Sequence, residues 1–278
     1  MDAYLRPESV EAALEALASG SYTVLAGGTD LYPAHTGRPL DGSVLDISGI
    51  PALRGIAEED GRYRIGALTT WSDIVRADLA PCFRGLQLAA REVGGVQIQN
   101  AASVAGNLCN ASPAADGVPP LLTLDAEVET GSVRGRSTIP LAEFIVGNRS
   151  TVLKADELVT AVLVPKPRWR AGAAFSKLGA RKYLVISIAM AAAVIEWDEG
   201  GRVAAARVAV GACSPVARRL PELEAALAGR RAGDAAAAFE PRHLAPLSPI
   251  GDVRGSAAYR LDAVAALVRR TLNAVEIP

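Results

Sequence analysis

A two-part fold that mixes helices and strands is what the sequence predicts, and three observations carry it. Up to about residue 54, short apolar runs flank one stretch of helical period, the pattern of a small βαβ-like unit. Beyond residue 126 the helical period gives way to short strand-like runs separated by turns, the pattern of an antiparallel layer. Pro165 and Pro167, among Lys166, Arg168 and Arg170, then mark a linker past which strands and helices resume. At 278 residues the chain is long enough for one large or two modest domains, each with a real core.

Taken in order, Pro7 and Glu8 open a helix whose Val10, Ala13, Leu14 and Leu17 share one face, and Gly20 ends it. Residues 22–26 read as a short buried strand running straight into Gly27-Gly28, and 44–47 as another. A strand over 63–67 leads to a helix near Thr70, where Asp73 is placed for a capping box. Leu86, Ala89, Ala90 and Val93 lie on one face of the next helix, which Gly94-Gly95 stops. Residues 103–112, crowded with Ala, Gly, Ser and Asn, read as an irregular loop with little to offer a packed core. Strands over 126–129, 138–139 and 158–164 form the antiparallel layer. After the linker come strands over 175–178, 185–197 and 203–211, a helix over 221–228, a helical piece at 235–238, and a closing helix over 257–275.

Composition narrows the function. Charge is balanced, 29 basic against 30 acidic residues, and no basic tract interleaved with aromatics suggests nucleic acid. The longest apolar stretch, residues 184–195, is broken by Ser187 and is shorter than the roughly 20 residues a membrane span needs. The start of the chain lacks the basic-then-apolar layout of a signal peptide, so a cytoplasmic, soluble protein is expected. Cys82, Cys109 and Cys213 are far apart, with no CxxC and an odd total, so neither a disulfide framework nor an iron–sulfur cluster is expected in this chain. His35 and His243 are the only histidines, and neither sits in a triad or metal-ligand spacing. No catalytic residue and no metal ligand is assigned.

Two small-residue segments stand out. Gly27 and Gly28 follow directly on a strand; both can adopt positive φ, and their amides with the Thr29 hydroxyl suit a nest for an anion such as a pyrophosphate. A lone Gly-Gly after a strand is also an ordinary turn. The GxGxxG fingerprint of nicotinamide dinucleotide binding is absent from this position. In the second segment Ser103, Asn107 and Asn110 surround Gly106 with donors and acceptors. Cys109 beside them reads as a small apolar filler, and Asp116 before Gly117 reads as a turn device or a ligand contact.

These segments closely resemble the FAD-contacting stretches of the flavoprotein subunits of molybdenum hydroxylases, the xanthine dehydrogenase and aerobic carbon monoxide dehydrogenase type. Leu25, Ala26, Gly27, Gly28, Thr29, Asp30 and Leu31 are similar to the family's first FAD loop. Ala102, Ser103, Val104, Ala105, Gly106, Asn107 and Asn110 are similar to its second, although Ala105 replaces a glycine and the local turn is expected to differ there. Asp116, Val159 and Lys177 match further cofactor contacts of the family. Residues 65–70, 156–159, 175–181 with 186–189, and 252–257 with 259–260 resemble other family stretches, in the family's order.

The resemblance implies an α+β fold: a two-subdomain FAD-binding domain of the vanillyl-alcohol-oxidase/xanthine-dehydrogenase kind over 1–168, with subdomains of about 1–54 and 55–168. A smaller α+β flavoprotein domain over 169–278 would follow. It implies an electron-transfer oxidoreductase component that holds FAD. A small 2Fe–2S subunit and a large molybdopterin subunit would be its partners, the whole doubled into a symmetric assembly. A self-contained FAD-dependent oxidoreductase of the same fold is the alternative, and a binding module whose glycine loops hold no cofactor is a third reading.

Overall fold

The computed structural model describes residues 3–277; Met1, Asp2 and Pro278, which the limits 1–168 and 169–278 include, lie outside the described residues. The chain opens with β1 (Tyr4–Leu5), α1 (Val10–Ser19), β2 (Tyr22–Leu25), α2 (Leu31–Ala34) and β3 (Ser43–Asp46). The three strands pair in parallel in the order β1-β3-β2. Helix α1 begins at Val10 rather than Pro7, because the Ser9 hydroxyl accepts from the Ala12 amide at 3.1 Å and so sets the cap. Strand β2 is not the buried strand expected: Thr23 and Val24 are exposed, and only Leu25 enters the core.

The next stretch holds β4 (Ile56–Glu59), β5 (Arg62–Gly66), α3 (Trp71–Arg76), α4 (Arg84–Glu92), α5 (Val96–Ala101), α6 (Val104–Asn110) and α7 (Val118–Thr123). After them come β6 (Glu127–Ser132), β7 (Gly135–Pro140), α8 (Leu141–Phe144), the hairpin β8 (Ile145–Gly147) and β9 (Ser150–Thr151), and β10 (Leu158–Pro165). The expected antiparallel layer forms as a five-stranded sheet in the order β4-β5-β10-β6-β7. The capping box at Thr70 and Asp73 is present, with Thr70 N donating to Asp73 Oδ2 at 2.9 Å.

The irregular loop expected over 103–112 is instead mostly helix. Ser103 caps α6 by accepting from the Gly106 amide at 3.1 Å, and Ala111 closes it in the left-handed region at φ 46°.

The last part comprises β11 (Arg170–Leu178), β12 (Ala189–Trp197), β13 (Val203–Gly211), β14 (Arg218–Arg219), α9 (Pro221–Leu227) and α10 (Ala257–Asn273). The strands form an antiparallel sheet in that order. All nine residues of β12 are buried because both faces of the sheet are covered. Ala189, Ala191, Ala193, Ile195 and Trp197 pack into the core that α9 and α10 share, while Met190, Ala192 and Val194 turn to the first part of the chain. Small residues allow this double cover: a Cβ at Gly85 of α4 would lie 3.1 Å from the Ala174 carbonyl oxygen of β11. Residues 185–188 precede the strand they were expected to begin, in a loop where Leu184 has φ 52°. No helix among the described residues is long and apolar enough to cross a membrane.

Candidate functional site

The two small-residue segments meet. A Cβ on Gly27 would lie 1.9 Å from the carbonyl oxygen of Ala101, so only glycine lets the turn after β2 rest on the backbone entering the second segment. The expectation of positive φ at both glycines is thus half corrected: Gly28 has φ 69°, whereas Gly27 is needed for close approach rather than handedness. Two bonds to residues 69–71 fix the second segment, and a third closes its own first turn. Trp71 N donates to Ala102 O at 3.2 Å, Val104 N to Thr69 O at 2.9 Å, and Asn107 N to Ser103 O at 3.1 Å.

Between the segments lies a cavity of about 560 Å³, within the range of cofactor and ligand sites. Leu25, Ala26, Gly27, Gly28, Thr29, Asp30 and Leu31 line one side. Ala102, Ser103, Ala105, Gly106, Asn107 and Asn110 line another, and Val159 of β10 lies in the same wall. The amides of Gly28, Thr29 and Asp30 donate to no acceptor among the described residues, which leaves successive donors on the rim. Asn107 brings a side-chain oxygen that is buried and has no partner among the described residues. Apolar side chains of Val93, Ile98, Leu153 and Leu158 complete a wall suited to a flat ring. Free donors at one side and an apolar slot at the other match a flavin dinucleotide's pyrophosphate and ring system, so the residues present fit FAD.

Ala105 departs from expectation in a simple way. It is buried in the first turn of α6 with ordinary helical φ, so its methyl imposes no change of turn. Cys109 is not a buried filler; it is exposed and forms part of the cavity wall. Val104 points into the core, fully buried, and does not line the cavity.

Asp116 and Lys177 also lie outside the cavity wall, and they form a buried ion pair. Lys177 Nζ donates to Asp116 Oδ2 at 2.6 Å and to Glu92 O at 3.2 Å, while Ser187 Oγ donates to Asp116 Oδ1 at 2.5 Å. Burial pushes the Asp116 carboxyl above its ordinary value, against the pull of the Lys177 ammonium and the Ser187 hydroxyl. A lysine at a strand end is ordinarily solvated, but Lys177 falls in line with Ala171, Ala173 and Phe175 on the face of β11 turned to the first part of the chain. The pair ties β11 to the end of α4, immediately before Val93.

Residues that sequence reasoning missed include Trp71, Val93, Ile98, Arg149, Leu153 and Glu157, all in the cavity wall. Trp71 is fully buried with an unpartnered indole nitrogen, and its ring lies so close that a Cβ on Gly117 would come within 2.4 Å of it. Only Glu157 carried a signal, since it lies in a stretch already noted for its resemblance. His35 lies outside the wall, its Nδ1 2.8 Å from the Leu31 carbonyl oxygen.

Residues 1–167 match the family model described as the FAD binding domain in molybdopterin dehydrogenase, and residues 173–275 match the CO dehydrogenase flavoprotein C-terminal domain. The alpha subunit of the 6-hydroxypseudooxynicotine dehydrogenase complex of Paenarthrobacter nicotinovorans is 34% identical over 275 residues, 97% of this chain and 92% of its own length. The carbon monoxide dehydrogenase medium chain of Hydrogenophaga pseudoflava is 29% identical over 98% of this chain and 96% of its own. A solved structure of carbon monoxide dehydrogenase from that organism superposes with a TM-score of 0.86 at 31% identity, covering 98% of this chain and 96% of that one. With both parts of the chain matched and near-complete coverage of relatives, the chain belongs to the FAD-binding subunits of the molybdenum hydroxylases, an oxidoreductase family.

Proposed function

We propose that this chain accepts electrons from a small 2Fe–2S subunit and passes them to an external acceptor, with the organic substrate oxidised on a large molybdopterin subunit. The single observation that carries the reading is the cavity: two glycine-bearing segments in contact, free amides on the rim, and an apolar slot between them. FAD bound there would supply the exchange of electrons between one-electron and two-electron partners. The chain's own residues bind and orient. Residues 25–31 would approach the pyrophosphate from one side and Ser103, Gly106, Asn107 and Asn110 from the other, and Val159 would pack beside the cofactor. Val104, Asp116 and Lys177 support the wall from behind. Division into an FAD-binding domain over 1–168 and a flavoprotein domain over 169–278, a doubled heterotrimeric assembly, and a cytoplasmic setting belong to the same proposal. Relatives described as a medium chain and as a subunit of a dehydrogenase complex support the partners.

Purification of the native complex tests the reading. One FAD per copy of this chain, with iron and molybdenum in the same particle, is expected. A particle with flavin but neither metal would instead favour a self-contained flavoenzyme.

A further inference from the structure

Among the described residues the cavity wall contains three charged side chains, the carboxylates of Asp30 and Glu157 and one cation, Arg149. Arg149 lies at the turn between β8 and β9, and its backbone is in the left-handed region at φ 54°, a conformation L side chains rarely adopt. Its amide donates at 2.9 Å to the carbonyl oxygen of Ala111, which is itself left-handed at φ 46°. Ala111 closes α6, the helix that carries the second small-residue segment. Two strained residues are therefore joined by one hydrogen bond at the edge of the site, where such strain concentrates when it positions a group.

What the junction positions is a guanidinium. Arg149 donates through one terminal nitrogen to Asn110 Oδ1, which sits at the end of α6 and lines the same cavity. Among the described residues Arg149 has no carboxylate partner, although Glu157 lies in the same wall. Glu157 is engaged elsewhere, with Lys154 at 3.3 Å and Arg134 at 3.4 Å. A guanidinium has five N–H donors in a fixed fork, and most of them here are uncommitted. FAD's pyrophosphate carries charge that the rim amides can hydrogen-bond but cannot neutralise.

The geometry points to Arg149 as the charge that meets the cofactor's pyrophosphate, held in register by Asn110 and by the Arg149–Ala111 junction. The inference rests on the reading that this cavity holds FAD. It makes Arg149 a binding residue for a dinucleotide anion, recognised through charge-assisted hydrogen bonds that a neutral side chain cannot replace.

The test is FAD titration of the whole complex after its flavin has been removed, followed by flavin fluorescence at low and high salt. Arg149→Gln should weaken FAD binding roughly 10- to 100-fold at low salt and flatten its salt dependence, as expected for loss of a charged hydrogen-bond donor. Arg149→Lys keeps the charge without the fork, so it should lie between the two and retain the wild-type salt dependence. Gln binding within about twofold of wild type would overturn the assignment. Equal losses in both variants with unchanged salt dependence would also overturn it, making Arg149 a brace for Asn110. Gly28→Val serves as the separate control. If that variant also binds FAD normally, the cavity itself has been misassigned, whatever Arg149 does.

Discussion

Gly27 and Gly28 show how two adjacent glycines serve different ends. The strand-then-glycine pattern was legible in the sequence, but the reason for Gly27 was not, because it depends on the Ala101 carbonyl more than seventy positions away. Gly27→Ala would force the two segments apart, and an overpacked contact of this kind costs about 1–3 kcal/mol. FAD affinity in the complex should therefore fall by roughly 10-fold or more, with the circular dichroism of the chain unchanged. Lys177 and Asp116 make the opposite point: a resemblance marked them, yet nothing local in the sequence foretold a buried pair. Lys177→Met alone leaves the Asp116 carboxylate buried without its cation and should destabilise the chain by about 3–5 kcal/mol. Lys177→Met with Asp116→Leu should recover much of that loss in thermal unfolding, since no unpaired charge remains. If the double variant is as unstable as the single one, the pair is not what sets the stability there.

Elements with strong period or alternation, such as α1, α4, α10 and β13, were readable within a few residues of their ends. The short helices α5, α6 and α7 were not. At six or seven residues they lack intrinsic stability, and tertiary contacts such as Trp71 N to Ala102 O decide them. Helix α7 shows what holds such an element. Arg207 Nε donates to Thr123 O at 2.8 Å and Arg219 donates to Leu122 O at 3.1 Å, so two guanidiniums from the last sheet cap its C-terminal end. Arg207 also pairs with buried Glu196 at 2.5 Å. Arg207→Met should cost about 3 kcal/mol or more by leaving Glu196 buried without its cation, seen as a lowered midpoint of unfolding.

The turn before α10 titrates in the other direction from Asp116. The Arg254 amide, then the Arg254 and Arg260 side chains, hold the Asp252 carboxyl down to about 2. A depressed carboxyl stabilises the fold above its unfolded value near 3.9, and that contribution is lost as pH falls toward about 2. Asp252→Asn should therefore lower stability at neutral pH and flatten its dependence on acid across that window. An unchanged acid limb in Asp252→Asn would mean that other carboxylates govern it.

At the scale of the whole molecule, the mixture of helices and strands and the switch to antiparallel strands could be read from pattern, whereas the strand order β4-β5-β10-β6-β7 could not. Its neighbours are set by long-range pairing, with β10 inserted between β5 and β6. The same is true of the site. Its two glycine segments were recognisable one at a time, but the wall contributed by Trp71, Arg149 and Leu153 appears only when distant parts of the chain close around the cavity. That closure underlies the proposal that this chain is the outlet through which electrons leave a larger complex. The most direct measurement assembles the complex with Gly28→Val, in which a side chain at φ 69° blocks the flavin segment. Substrate added without air should still reduce the iron–sulfur signals of that complex, while turnover with the external acceptor is lost. Undiminished acceptor turnover in the flavin-free complex, or oxidation of the organic substrate by this chain alone, would show that electrons do not leave through this flavin.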